Sequence, residues 1–173
     1  LEWLQPHIIR LSSAKREKWP DFLFGAGFRL MVSDRFVEVY KEEGLTGILR
    51  FHPPARILSA GRKLMSELEE PRPSYRLVDV ARSRAAIDLE ASGRVTKDPD
   101  QPLCPECRSD GGILQKIPRI VFEPGTWSGE DIFFARGLIG TIFVSRRFVE
   151  VVERHELKGA DLIPAEKYSI SFE

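Results

Sequence analysis

Cys104-Pro105-Glu106-Cys107 is the stretch of this sequence whose residue types and spacing point most directly to chemistry. Two thiols so spaced can act as a redox couple, as half of a tetrahedral zinc site, or as an inert structural knuckle. The redox form sits at the start of a helix, whose N-terminus lowers the thiol pKa. Here the following residues, Arg108-Ser109-Asp110-Gly111-Gly112, read as a turn. The zinc form needs two adjacent thiolates on a tight loop plus two further ligands. His7, His52 and His155 are scattered and supply no evident pair. Cys104 and Cys107 are therefore expected to form a reduced knuckle on a loop, with zinc as a candidate cofactor whose site is incomplete in this chain. As the only cysteines they exclude a secreted disulfide framework and point to a reducing compartment.

Other chemistries leave little trace. The sequence has no phosphate loop, nucleophile elbow, zincin helix or dinucleotide fingerprint. Glu67, Glu69 and Glu70 end a predicted helix and read as a solvated face. Arg10, Lys15, Arg16 and Lys18 beside Trp19 come nearest to a nucleic-acid stripe, and Glu17 dilutes them. Lys plus Arg and Asp plus Glu each number 26, so no net field steers the chain toward nucleic acid or anionic lipid. The most apolar run, residues 137–144, is far short of a membrane span, which takes about 20 residues. No charged stretch leading into an apolar run opens the chain, so no signal peptide is expected. Because the first residue is Leu1, a preceding piece is expected to be missing. With 173 residues, 42% of them apolar, the chain is long enough to bury a core without staples.

The elements that must position these residues come from an internal repeat. Val32-Ser33-Asp34-Arg35-Phe36-Val37-Glu38-Val39 recurs as Val144-Ser145-Arg146-Arg147-Phe148-Val149-Glu150-Val151, with Asp34 against Arg146 as the single difference. Leu45 and Gly47 recur in register as Leu157 and Gly159. Upstream, Asp21-Phe22-Leu23-Phe24 answers Asp131-Ile132-Phe133-Phe134, two residues being added in the second copy; downstream, Pro53 and Pro164 close both. Residues 28–32 and 141–144 read as strands. Ser33 and Ser145 stand at N-cap positions. Each following helix puts an apolar arc inside: Phe36, Val37, Val39 and Tyr40, then Phe148, Val149, Val151 and Val152. Gly44 suits the left-handed end of the first helix, and Glu156 at the matching place must end differently or carry strain. Residues 45–51 and 157–163 are expected to return as strands. The fold predicted is α+β, a mixed sheet with two pseudo-repeated strand-helix-strand units.

Between the copies, residues 58–70 read as a helix ending at Pro71-Arg72-Pro73, and residues 75–80 and 84–90 as a hairpin turning near Arg82 and Ser83. Residues 117–123 are a short strand candidate interrupted by Pro118. The loop 124–131 carries Trp127, Glu130 and Asp131; its tryptophan could tuck into the core or anchor a partner. The expected organisation is one compact unit over 1–173, with the first repeat at 21–53, a central hairpin and knuckle at 74–123, and the second repeat at 131–164.

The knuckle, the run Trp127-Ser128-Gly129-Glu130-Asp131-Ile132-Phe133-Phe134-Ala135-Arg136-Gly137-Leu138, and the second repeat with Leu157-Lys158-Gly159 together resemble the C-terminal half of double-CXXCG motif proteins. That paralogous myxobacterial family includes immunity proteins against swarming-inhibition (Sit) polymorphic toxins. The likeness covers residues 75–165 well and the first half less closely. It implies a cytoplasmic protein that binds and neutralises a cognate toxin without catalysis. Two departures stand out: Arg108 occupies the place of the motif's glycine, and the second Cys-x-x-Cys-Gly is absent, so it is expected either before Leu1 or lost.

Neutralisation of a protein toxin is accordingly the leading expectation. The alternative is a zinc-knuckle module binding nucleic acid or a regulatory protein. Candidate partner contacts are Trp127, Glu130, Asp131, Arg146, Glu150 and Arg154, where the copies diverge or face outward; Cys104 and Cys107 are the candidate metal ligands, and no catalytic residue is expected.

Overall fold

A computed structural model of the chain describes residues 8–10, 19–25, 29–59, 73–97, 100–109 and 113–171. In order, the elements are β1 (Ile8–Arg10), β2 (Phe22–Gly25), β3 (Arg29–Ser33), α1 (Asp34–Glu42), β4 (Ile48–Ser59), β5 (Tyr75–Ala86), β6 (Val95–Thr96), β7 (Leu114–Ile117), β8 (Ile132–Arg136), β9 (Ile142–Val144), α2 (Arg146–Arg154), a 3-10 turn (Ala165–Lys167) and β10 (Ile170–Ser171). Mixed strand pairing with two α-helices among the described residues makes the fold α+β.

The repeat is realised as a hairpin leading into a helix. β2 pairs antiparallel with β3, Phe22 opposite Val32, and β8 pairs antiparallel with β9, Ile132 opposite Val144. At the open end of each hairpin a buried aspartate faces the serine that precedes the helix. The Ser33 hydroxyl donates to Asp21 Oδ1 at 2.7 Å and the Ser33 N–H to the Asp21 carbonyl at 2.9 Å. The corresponding distances from Ser145 to Asp131 are 2.8 and 2.9 Å. Ser33 Oγ also accepts from the Phe36 N–H at 3.1 Å, so one hydroxyl closes the hairpin and caps α1.

Both helices end alike. Leu45 N–H donates to Tyr40 C=O and Gly44 N–H to Lys41 C=O; Leu157 and Glu156 repeat this on Val152 and Glu153. This double bond pattern requires a left-handed residue, and Gly44 takes φ +60° where Glu156 takes φ +49°. The side chain at Glu156 therefore carries the strain that the glycine avoids.

The second copy then departs from expectation, because residues 157–163 form no strand. Their backbone bonds elsewhere: the Lys158 carbonyl accepts from the Asp21 and Phe22 N–H groups at 2.6 and 3.1 Å. Gly159, at φ +99°, makes that approach feasible, since a Cβ there would lie 2.6 Å from the Phe22 carbonyl oxygen. In the first copy β4 does return as a strand, yet it starts at Ile48 and runs through Pro53 and Pro54 to Ser59 instead of closing at Pro53. β1 pairs with β4 only from Arg56 onward, so the prolines, which lack a donor, fall outside that ladder.

The chain divides into two compact units, Leu1–Asp79 with Arg147–Ala160, and Val80–Arg146 with Asp161–Glu173. In the first, strands run in the order β1-β4-β5-β3-β2, with β5 antiparallel to β3. Met31, Ala55, Tyr75 and Leu77 pack together there, and Phe22, Phe36, Tyr40 and Phe148 form an aromatic cluster. The buried residues of both helices, Phe36, Val37, Val39 and Tyr40 and then Phe148, Val151 and Val152, belong to the expected arcs, while Val149 is half-buried. In the second unit the end of β5 pairs parallel with β8, and β10-β7-β6 form a small antiparallel sheet. Its core gathers Ile87, Ile117, Ile120, Phe133, Leu138 and Phe143.

Three further expectations are corrected. No turn occurs at Arg82-Ser83; β5 passes straight through, and the polar pair marks a register shift where Ser83 Oγ accepts from the Ala85 N–H at 3.1 Å. A bulge, unlike a two-residue hairpin, needs no glycine or asparagine. The strand expected at residues 117–123 lies earlier, ending at Ile117 before Pro118 removes a donor. The helix expected over residues 58–70 begins inside β4, and residues 60–72 lie outside the described residues.

Two outcomes follow for stability. Phe36→Ala and Phe148→Ala should each lower the unfolding free energy by about 3–5 kcal/mol in denaturant titrations, because both rings are fully enclosed; unchanged midpoints would remove both from the core. Glu156→Gly should raise stability by about 1 kcal/mol by relieving the left-handed strain, whereas Gly44→Ala should lower it by a similar amount.

Candidate functional site

Cys104 and Cys107 sit at either end of a tight turn in the second unit, both free thiols and both half-buried. The turn is closed by Arg108 N–H to the Cys104 carbonyl and by Cys104 N–H to the Ser109 carbonyl, each at 2.8 Å. Gly137 N–H donates to the Cys107 carbonyl at 2.8 Å and ties the turn to the β8–β9 connection. Backbone N–H groups of Cys107 and then Glu106, together with the Cys107 side chain, hold the Cys104 thiol below its ordinary pKa. Arg108 takes φ +57°, a conformation natural to glycine, and its guanidinium pairs with Glu123. Such a turn presents two soft donors side by side. Among the described residues no group of three or more His, Cys, Asp or Glu side chains is placed to hold a metal.

Trp127 is not a core residue. It is 50% exposed, its indole N–H donates to the Glu130 carbonyl at 3.2 Å, and its ring stacks on Phe133 at 6.3 Å. Both ends of this loop are pinned: the Thr126 hydroxyl donates to the Glu123 carbonyl at 2.8 Å and accepts from Ala86 N–H at 3.0 Å, and Glu130 accepts from the Ser83 hydroxyl at 3.0 Å. Asp131, expected among the contact residues, is instead buried at 3% exposure, with its carboxylate engaged by Ser145. A carboxylate so enclosed holds the hairpin.

On α2, Arg146, Glu150 and Arg154 are exposed, as expected. Arg154 reaches Glu43 Oε2 at 2.6 Å, and His155 Nε2 lies 2.7 Å from Glu43 Oε1. Arg35, near the start of α1, donates to the His155 carbonyl, and Arg147, near the start of α2, donates to the Glu43 carbonyl. Each helix therefore sets a guanidinium against the other's negative C-terminal end. Sequence reasoning missed Glu43, His155 and this exchange of arginines. The signal was present in the register, since Arg35 and Arg147, Glu43 and His155, and Phe36 and Phe148 are equivalent positions of the two copies. His52, also unassigned, hydrogen-bonds Asp79 Oδ2 at 2.9 Å beside the Arg29–Asp79 pair, within the β-sheet of the first unit.

No helix among the described residues is long and apolar enough to cross a membrane. Compared with known protein families, residues 64–167 match one described as an immunity protein family (Imm11). No curated protein matches the chain.

His155 first, and Arg154 second, hold the Glu43 carboxyl below its ordinary pKa by hydrogen bonding to its charged form. A carboxylate depressed on folding stabilises above its unfolded pKa, and the contribution fades as pH falls through the folded value. The stability difference between wild type and Glu43→Gln should therefore shrink between about pH 5 and about pH 3. Denaturant midpoints across that range check this, and a constant difference would mean the network contributes nothing through Glu43's charge.

Proposed function

We propose, because this chain belongs to the Imm11 immunity protein family, that it binds and neutralises a cognate polymorphic bacterial toxin directly, in the cytoplasm and without catalysis. The family match over residues 64–167 is the observation that carries this reading. It includes the knuckle, the tryptophan loop and the whole second repeat.

The finer reading is an immunity protein of the double-CXXCG kind, directed at a toxin of the swarming-inhibition type. The left-handed backbone at Arg108 supports it, since that geometry explains why the related motif has glycine after its second cysteine. Here the arginine keeps the turn and adds the pair with Glu123.

Two surfaces are the candidate contacts, Trp127 with Glu130 on the pinned loop, and Arg146, Glu150 and Arg154 on the outward side of α2. A half-exposed tryptophan already held by a hydrogen bond and a ring stack loses little freedom on binding, which suits it to anchor a partner. Charged positions on a helix face suit the other need, discrimination between toxins, because specificity is a difference of affinities that a few repulsive contacts can set. The buried carboxylates and apolar arcs can then stay constant while the exposed positions change.

Co-expression with the cognate toxin, together with calorimetric titration of the two purified proteins, tests the proposal. Wild type should protect and bind. Trp127→Ala should weaken binding by about 2 kcal/mol, roughly thirtyfold, and charge reversal at Arg146 and Glu150 should lower affinity. Failure of wild type to protect or bind would remove the immunity reading, and full affinity in every variant would move the interface elsewhere.

A further inference from the structure

We propose that the open edge of β9 is a strand-addition site for an extended acidic segment of another protein, paired antiparallel with a carboxylate beside Arg146. The site stands independently of the immunity reading, because strand pairing and charge carry it. Both hairpins of the repeat pair with β5, yet by opposite strands. In the first copy it is the second strand, β3, which runs antiparallel to Tyr75, Arg76 and Leu77. In the second copy it is the first strand, β8, which runs parallel to Ala81, Arg82 and Ala86. β9, the counterpart of β3, is thereby left with β8 as its sole strand partner among the described residues.

The backbone of β9 is set for a neighbour. Ser145 N–H donates to the Asp131 carbonyl, so the ladder bonds of the hairpin fall at alternate positions, Ser145 and Phe143, and the N–H and C=O groups of Ile142 and Val144 point away from β8. The first copy shows what such an edge takes. Val32, the counterpart of Val144, lies opposite Arg76, and the Asp34 N–H extends the pairing to the Ser74 carbonyl at 3.0 Å. Arg76 Nε then reaches Asp34 Oδ1 at 2.6 Å, a diagonal pair across the two segments. Asp34 is the single position at which the most alike stretch of the repeat differs, and Arg146 stands in its place. A strand added to β9 therefore meets a guanidinium where β5 meets a carboxylate, and its residue opposite Val144 must be acidic where Arg76 is basic. Arg146 is exposed, and five N–H donors let one guanidinium serve more than one partner. Main-chain bonds along the edge supply affinity, and this charge supplies selection.

The probes are two synthetic peptides with blocked ends, residues 74–80 of this chain as they stand and the same segment carrying Arg76→Glu. Each is titrated into the isotope-labelled whole chain and followed by nuclear magnetic resonance. With the Arg76→Glu peptide, shifts are expected at the amides of Ile142, Val144 and Arg146, with a dissociation constant of about 1 mM. The unaltered peptide should bind about fivefold more weakly, its arginine facing Arg146. Arg146→Asp in the whole chain should reverse that preference. Ile142→Pro, which removes an outward N–H and no ladder bond to β8, should abolish the shift at Val144 while the far-ultraviolet circular dichroism stays that of wild type. No shift at these amides with either peptide, shifts confined to another part of the chain, equal affinity for the two peptides, or an unchanged preference in Arg146→Asp would each overturn the proposal.

Discussion

A carboxylate removed from water must have every lone pair answered, and this fold answers it twice in the same way. Asp21 and Asp131 are both buried, and each accepts from the serine at the far end of its own hairpin. The bond fixes where the hairpin closes and where the following helix starts. At Asp21 more is attached. Oδ2 accepts the Lys158 N–H at 2.9 Å and Arg35 at 3.3 Å, so the segment after α2 is held to the first hairpin by a group the first hairpin needs anyway. Removing either partner would leave a buried charge exposed to an apolar environment, a far larger penalty than the loss of one ordinary hydrogen bond.

From that anchor the helix pair follows. The Phe36 and Phe148 ring centroids stand 6.0 Å apart, and further along the same two helices Glu43 meets His155. Both contacts join equivalent positions of the repeat. Arg35 and Arg147 then act as exchanged caps on the carbonyl ends. The exchange places a positive group at the negative end of both helices at once. Only the sides turned away from this contact are left to carry changeable charge, among them Glu150 and Glu153.

Local chemistry was readable in the sequence wherever one residue type alone decides the geometry. The capping Ser33, the apolar arcs and the contrast of Gly44 with Glu156 follow from hydroxyl, periodicity and missing Cβ. What was not readable depended on partners far along the chain. Residues 157–163 look as strand-like as residues 45–51, yet their backbone is taken by Asp21 and Phe22. Ser83 looked like a turn because a polar residue interrupts an apolar run, and only Glu130, 47 positions away, makes it a bulge. Asp131 was legible in principle: Asp21 with Ser33 recurs as Asp131 with Ser145, each ahead of its own copy's helix, and an aspartate and a serine repeated together signal a bonded pair. Trp127 and the knuckle showed their residue types, while their exposure came from the loops that hold them.

These parts divide the molecule into a scaffold fixed by buried bonds and an exterior to which the proposed function assigns toxin recognition. Amide hydrogen exchange, measured on the chain alone and again with the proposed cognate toxin, tests that division most directly. The expected result is equal protection in both samples for the amides of Ser33, Ser145 and the helix interiors, with slowing on toxin addition confined to residues 126–130 or the outward side of α2. Slowing nowhere in the chain, or a change of protection at Ser33 and Ser145 themselves, would contradict it.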